Sequence, residues 1–163
     1  MKPRTLLILG LGFSFLVLVG WKNTPRGSGN TPLLLLPDLR AAQAYQRQVL
    51  RWQEKLLAID GQLSVLFAST QQDLMQSSRE AEKIQRNLLR LYQEVDQKDP
   101  PPSLAGVHDM LIQTTSAYLE TARLGLNWVS SGGKEELTLA RSQLAEAHTL
   151  FLDFSSSPWI RGQ

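Results

Sequence analysis

The two histidines are the side chains of this 163-residue chain best suited to hold a metal or move a proton. His108 follows Val107 and His148 follows Ala147, each beside a position with helical apolar spacing. If their helices pair about Gly132-Gly133, His108 lies about 24 residues before that turn and His148 about 16 after it, so they miss each other by roughly 12 Å along the axis. Neither histidine has a second His or a carboxylate four residues further on. Asp109 and Glu146 are one and two residues away, on other faces of their helices. A metal site would need three or more convergent ligands. Both histidines therefore read as residues at the boundary of a helical core. No metal and no cofactor is expected; haem held by a bundle histidine has nothing in its favour beyond the fold class.

Other chemistry is equally thin. The chain has no cysteine, which excludes disulfide scaffolds, thiolate zinc sites, iron–sulfur clusters, thiol catalysis and covalent c-type haem. It also excludes a lipid-modified lipoprotein. Ser131-Gly132-Gly133-Lys134 matches only the end of a phosphate loop. The earlier glycine is absent, Glu135 stands where a hydroxyl would hold magnesium, and no strand precedes it. No nucleophile elbow, zinc-protease motif or dinucleotide fingerprint occurs. The paired acids Glu80/Glu82 and Glu135/Glu136 suit solvated faces and helix N-termini. No catalysis is expected.

The best local basic patch is Arg79, Lys83, Arg86 and Arg90, two i,i+4 pairs of like sign. Such a face suits contact with an acidic partner or lipid headgroups. A solvated helix face, with Glu80 and Glu82 as partners, is the simpler account and the one favoured. No aromatic residues interleave with these bases, so stacking on single-stranded nucleic acid is not expected.

The elements that would position these residues are helices. Residues 38–97 contain no proline and one glycine. Ala42, Tyr45, Val49, Trp52, Leu56, Ile59, Leu63 and Leu66 are spaced alternately by three and four, a heptad seam. The seam resumes at Thr70, Leu74, Ser77, Ala81, Ile84, Leu88, Leu91 and Val95, after two four-residue steps in succession. That phase jump marks a stutter or a bend. Asp60-Gly61 has turn composition, yet the seam keeps its phase across it, at a cost of about 1 kcal/mol for the glycine. Ser77-x-x-Glu80 has the form of a capping box, so residues 69–78 are a second candidate break. A single long helix bent near the stutter is the favoured reading.

Pro100, Pro101 and Pro102 end that segment, and Ser103 is placed to cap the next helix. Its seam is Leu104, Val107, Leu111, Thr115, Tyr118, Ala122, Gly125 and Val129. A turn at residues 130–133 leads to a last helix from Lys134, with seam Leu137, Ala140, Leu144, Ala147, Phe151 and Phe154. Trp159 and Ile160 are left on a short tail, residues 156–163. Short connections make the helices antiparallel neighbours. The expected fold class is thus all-α, an up-down bundle over residues 38–155. It has three helices if the long segment bends, four if it folds back.

Ahead of the bundle lies a different kind of segment. Residues 6–21 are apolar apart from glycines and Ser14, with Leu6, Leu7, Ile8, Leu9, Phe13, Phe15, Leu16, Val17, Leu18 and Trp21 as the membrane-facing set. As a helix this run spans about 25 Å, short of a hydrocarbon core of about 30 Å, and Trp21 and Lys22 can close the gap at the interface. An uncleaved signal anchor (residues 1–22) is favoured over a cleaved signal peptide, because no convincing small-residue cleavage site follows. Lys2 and Arg4 precede the run, and Lys22 and Arg26 follow it; counting the amino terminus, the bias favours a cytoplasmic start and an exported bundle. Gly10 and Ser14 form a small-xxx-small pair, most simply incidental. Residues 23–37 have linker composition, ending in Leu33-Leu34-Leu35-Leu36, which are expected to dock on the bundle.

The expected function is protein–protein contact or structural support by a membrane-anchored bundle outside the cytoplasm, with a lipid bilayer and an unidentified protein as partners. Two alternatives stand beside it. One is a small-molecule-sensing bundle, with Thr70, Ser77, Thr115 and Gly125 marking a polar interior and a partner carrying the signal. The other is a secreted helical protein with its N-terminal segment removed. The pI near 9.1 does not argue for nucleic acid: all four bases of the first thirty residues flank the apolar run, and the remainder carries 13 bases against 15 acids.

Overall fold

The computed structural model describes residues 37–68 and 74–161. The apolar run, the linker and Leu33-Leu34-Leu35-Leu36 lie outside the described residues, as does Thr70. Among the described residues there are only helices: α1 (Pro37–Ala68), α2 (Leu74–Asp96), a 3-10 turn (Pro102–Leu104), α3 (Ala105–Ser131), α4 (Lys134–Ser156) and the single turn α5 (Pro158–Arg161). None is long and apolar enough to cross a membrane.

The heptad seams became the core. Tyr45, Val49, Trp52, Leu56, Ile59, Leu63 and Leu66 of α1 are all buried, as are Ala81, Ile84, Leu88, Leu91 and Val95 of α2. Every seam residue of α3 is buried, and on α4 Ala140, Leu144, Ala147 and Phe154 are. Ala42, Leu137 and Phe151 are partly buried and pack against this cluster. An apolar residue at every three to four positions supplies one stripe per helix, and four stripes close on a common interior.

The favoured single long helix is not what forms. α1 runs through Gly61 without interruption, as its unbroken seam requires, but ends at Ala68, and α2 begins at Leu74. The chain reverses there: Lys55 Nζ of α1 lies 2.6 Å from Glu94 Oε2, near the far end of α2. Four helices result. The phase jump between Leu66 and Leu74 is the trace of two separate helices, each with its own heptad frame. Ser77 is a buried residue inside α2 rather than its cap.

Contacts repeating every seven residues fix α4 against α1. Gln53 Nε2 donates to Ser155 Oγ at 3.0 Å. One heptad on, Asp60 Oδ1 meets His148 Nε2. One heptad further, Arg141 Nη2 donates to the Phe67 carbonyl at 2.5 Å. Each step forward on α1 is matched by an equal step backward on α4, which is antiparallel register read from polar residues. Arg141 also places a cation at the C-terminal carbonyls of α1, where the helix dipole favours it.

Two glycines have specific work. Gly132 adopts φ 69°, and its N–H bonds the Trp128 carbonyl at 2.7 Å, closing α3 in the left-handed conformation that glycine reaches without strain. Gly125 is a close approach: a Cβ there would lie 3.1 Å from the Phe67 ring. Phe67 enters that gap and meets Trp128 edge-on, centroids 5.9 Å apart. Ser103 does not cap α3. It sits within the 3-10 turn, and Leu104, buried, occupies the cap position. The C-terminal segment is not all a free tail either: α5 follows α4 directly, Gln46 Nε2 bonds the Trp159 carbonyl at 2.5 Å, and Ile160 packs on the core.

Gly61 differs from both. It is helical and exposed, and nothing lies within 4 Å of a Cβ built on it. Gly61→Ala is expected to raise stability by about 1 kcal/mol, because alanine restricts the unfolded chain and meets no clash. A urea titration measures it; a fall in stability would show that something approaches this backbone within the chain.

Candidate functional site

The outer surface between α1 and α2 is recessed. A depression of about 530 Å³ is bounded by Ala58, Gly61, Gln62 and Val65 on α1 and by Glu80, Lys83 and Ile84 on α2. A second, of about 240 Å³, shares Ala58 and Gln62 and continues past Asn87 and Arg90 to the Lys55–Glu94 pair. Together they form one groove along the two helices. Its buried lining is apolar (Ile59, Ile84 and Leu91), the small residues Ala58 and Gly61 of α1 leave it open, and Val65 at its edge is 62% exposed.

The sequence-predicted basic face borders this groove. At about 100° per residue, Arg79, Lys83, Arg86 and Arg90 fall within an arc of about 60° on α2, and all four are exposed. Lys83 and Arg90 line the groove. Arg86 reaches Glu82 at 3.3 Å, the solvated-face arrangement. Arg79, Lys83 and Arg90 make no ion pair among the described residues. At the far end, Lys55 is held by Glu94, whose carboxylate also lies 3.4 Å from the Trp52 indole N–H. The Lys55 hydrogen bond, before any other influence, draws the Glu94 carboxyl below its ordinary pKa.

No protein-family model, no curated protein and no solved structure matches this chain. The site is therefore read from its own geometry.

Both histidines are tied to α1, not to each other. Tyr45 Oη lies 2.6 Å from His108 Nδ1. Tyr118 Oη donates to Asp60 Oδ1 at 2.8 Å, and His148 Nε2 comes to the same oxygen. That nitrogen is buried and makes no hydrogen bond of good geometry, so Asp60 is its polar neighbour by ion-pair distance alone. Among the described residues no three His, Asp or Glu side chains converge as metal ligands would. Tyr45, Asp60 and Tyr118 were not singled out from sequence. The available signal was heptad spacing of polar residues, Gln53/Asp60 against Arg141/His148/Ser155.

These clusters join helices. Burial, then the charge of Asp109, pushes the Tyr45 phenol up to about 12 from an ordinary value near 10. Burial, then the hydrogen bond to Asp60, raises Tyr118 further. Both phenols stay neutral in the folded protein where an unfolded chain would ionise. Their contribution is present in full below pH 10 and declines as pH rises from 10 through 12, at up to about 1.4 kcal/mol per pH unit for each phenol. Urea midpoints taken between pH 8 and pH 11.5, roughly the span of that titration, are expected to fall steeply only in its upper part. Tyr118→Phe should flatten the fall, and an equally steep fall in that variant would remove Tyr118 as its cause.

Of the interior positions offered for a sensor, Thr115 and Gly125 are filled. Thr115 is buried with its hydroxyl on the Leu111 carbonyl at 2.7 Å, and Phe67 occupies the space beside Gly125. The open space with mixed lining lies outside, between α1 and α2.

Proposed function

We propose that this chain is a membrane-tethered helical bundle held outside the cytoplasm, acting by contact with another protein through the outer face of α1 and α2. The observation that carries this reading is the groove: a recess of mixed small, apolar and polar lining, bordered by Arg79 and Lys83, which make no ion pair among the described residues, on a bundle whose described interior is packed. Support for the tether comes from the sequence, in the apolar residues 6–21, their basic flanks and the polar linker after them. The organisation is then anchor over 1–22, linker over 23–37, bundle over 38–155 and tail beyond. The clusters of Tyr45, Asp60, Tyr118 and the histidines tie helices together, and no reaction is assigned to them.

Two measurements test this. Intact mass of the protein recovered from membranes should equal the whole chain; loss of about the first twenty to thirty residues would make it a secreted protein instead. Cross-linking in intact cells should capture a protein through residues of α1 and α2. Capture through α3 or α4 alone would place the working surface elsewhere.

A further inference from the structure

Glycine weakens the interior of a helix relative to alanine, and no neighbour among the described residues requires it at Gly61, since a Cβ there would meet none of them within 4 Å. Gly61 lines the groove with Ala58, beside Val65, and Lys83 stands across from it. Small residues in a helix face let a second helix backbone come close, where larger ones hold axes 8–10 Å apart. The groove runs from Glu80 to Glu94 on α2, about 21 Å, or four helical turns. Its charge is uneven. Lys55 pairs with Glu94, which Arg90 also influences, while Lys83 and Arg90, with Arg79 just outside, leave that edge with more bases than the acids Glu80 and Glu94 can match.

We infer that the groove between α1 and α2 seats one amphipathic helix of a protein partner, about 14 residues long, small and apolar toward Ala58 and Gly61 and acidic along the edge that meets Lys83 and Arg90. This rests on the protein-contact reading above and names the chemistry of the partner. A helix fits where a lipid surface does not. Headgroups would meet the basic edge but would leave the recessed floor empty, whereas a helix fills it and desolvates Val65.

The test uses the full chain in nanodiscs of zwitterionic lipid and two fluorescent helical peptides of about 16 residues. Both carry an Ala/Leu stripe; one flanks it with Glu, the other with Lys. The Glu peptide should bind at least about tenfold more tightly than the Lys peptide. The double variant Lys83→Glu/Arg90→Glu should erase that preference. Gly61→Trp should weaken the Glu peptide by at least about tenfold while the melting temperature holds, because a side chain at 61 enters only the groove. Equal affinity for the two peptides, no binding of the Glu peptide, or binding indifferent to Gly61→Trp would overturn the inference. So would attachment to anionic phosphatidylglycerol vesicles that the charge reversal abolishes and Gly61→Trp leaves intact, which would give the face to lipid headgroups. Cross-linking in cells separates this from the broader reading. A partner still captured by both variants leaves protein contact standing and removes the groove; no partner captured by the unmodified chain removes protein contact itself.

Discussion

Replacing Trp52 by alanine is expected to destabilise the bundle by about 3–5 kcal/mol and to lower its melting temperature by roughly 10–20 °C. Trp52 is 2% exposed and lies midway along the α1 seam, between Val49 and Leu56, with its ring edge-on to Tyr45 at 6.1 Å. α1 is the helix that bonds to α2, α3 and α4 alike, so a cavity at its centre loosens every pairing. The indole N–H contributes little of this, because its bond to Glu94 is 3.4 Å long and at the groove's wet edge. Trp52→Phe separates the two contributions. It keeps most of the buried ring and should cost no more than about 1–2 kcal/mol. Equal losses in both variants, measured by urea denaturation, would mean that the hydrogen bond rather than packing holds this position.

The core was legible because burial follows the three-and-four spacing of apolar residues, and that spacing survives every local disturbance in the chain. Gly61 shows the rule at work: a turn-like Asp-Gly pair stays helical because Ile59 and Leu63 keep one face inward. The same reasoning misweighted residues 66–74. A phase jump in a seam is compatible with a bent helix or with two helices, and spacing alone does not say which. The answer lies in whether the two faces can be buried in one core, as Leu56 and Leu88 are here, both 0% exposed. Sequence alone also left Ser103 as a cap, although the rigid prolines before it fold the chain into a 3-10 turn first.

Polar positions were legible only in part. The basic face on α2 was visible as charge, since four bases at helical spacing need no tertiary information. The groove beside it was not visible, because half of its lining comes from α1 and it exists only once the two helices lie antiparallel. Asp60 was visible only as half of a turn-like Asp-Gly pair inside a continuous helix, and His148 as a residue at the core boundary; a heptad register between α1 and α4 makes them neighbours. Polar residues seven apart resemble any solvated face until the partner helix is known. What distinguishes these is position, at the flank of the seam where side chains of adjacent helices meet.

Asp60→Ala is expected to cost about 2–3 kcal/mol, more than a surface carboxylate ordinarily contributes, and its side chain is only 20% exposed. Asp60 is the acceptor that lets Tyr118, fully buried, keep its hydroxyl in the core. Removing the acceptor leaves that hydroxyl desolvated and unbonded, and it also strips His148 Nε2 of its polar neighbour. The cost is thus mostly the penalty for orphaned groups, which gives it a signature. Tyr118→Phe made in the Asp60→Ala background should add almost nothing, or recover part of the loss, because the orphan hydroxyl is gone. The double-mutant cycle should return a coupling of about 1 kcal/mol or more. Strict additivity, within about 0.3–0.5 kcal/mol, would show that Tyr118 and Asp60 act independently and that the register of α1, α3 and α4 is set by packing alone. Coupling would mean that one carboxylate, at the middle step of the heptad ladder, ties α1, α3 and α4 together, while α2 packs through its apolar seam and bonds α1 through Glu94. The groove lies along α2, on the side of α1 away from that carboxylate's bonds to α3 and α4, so a partner's helix can seat there without breaking them.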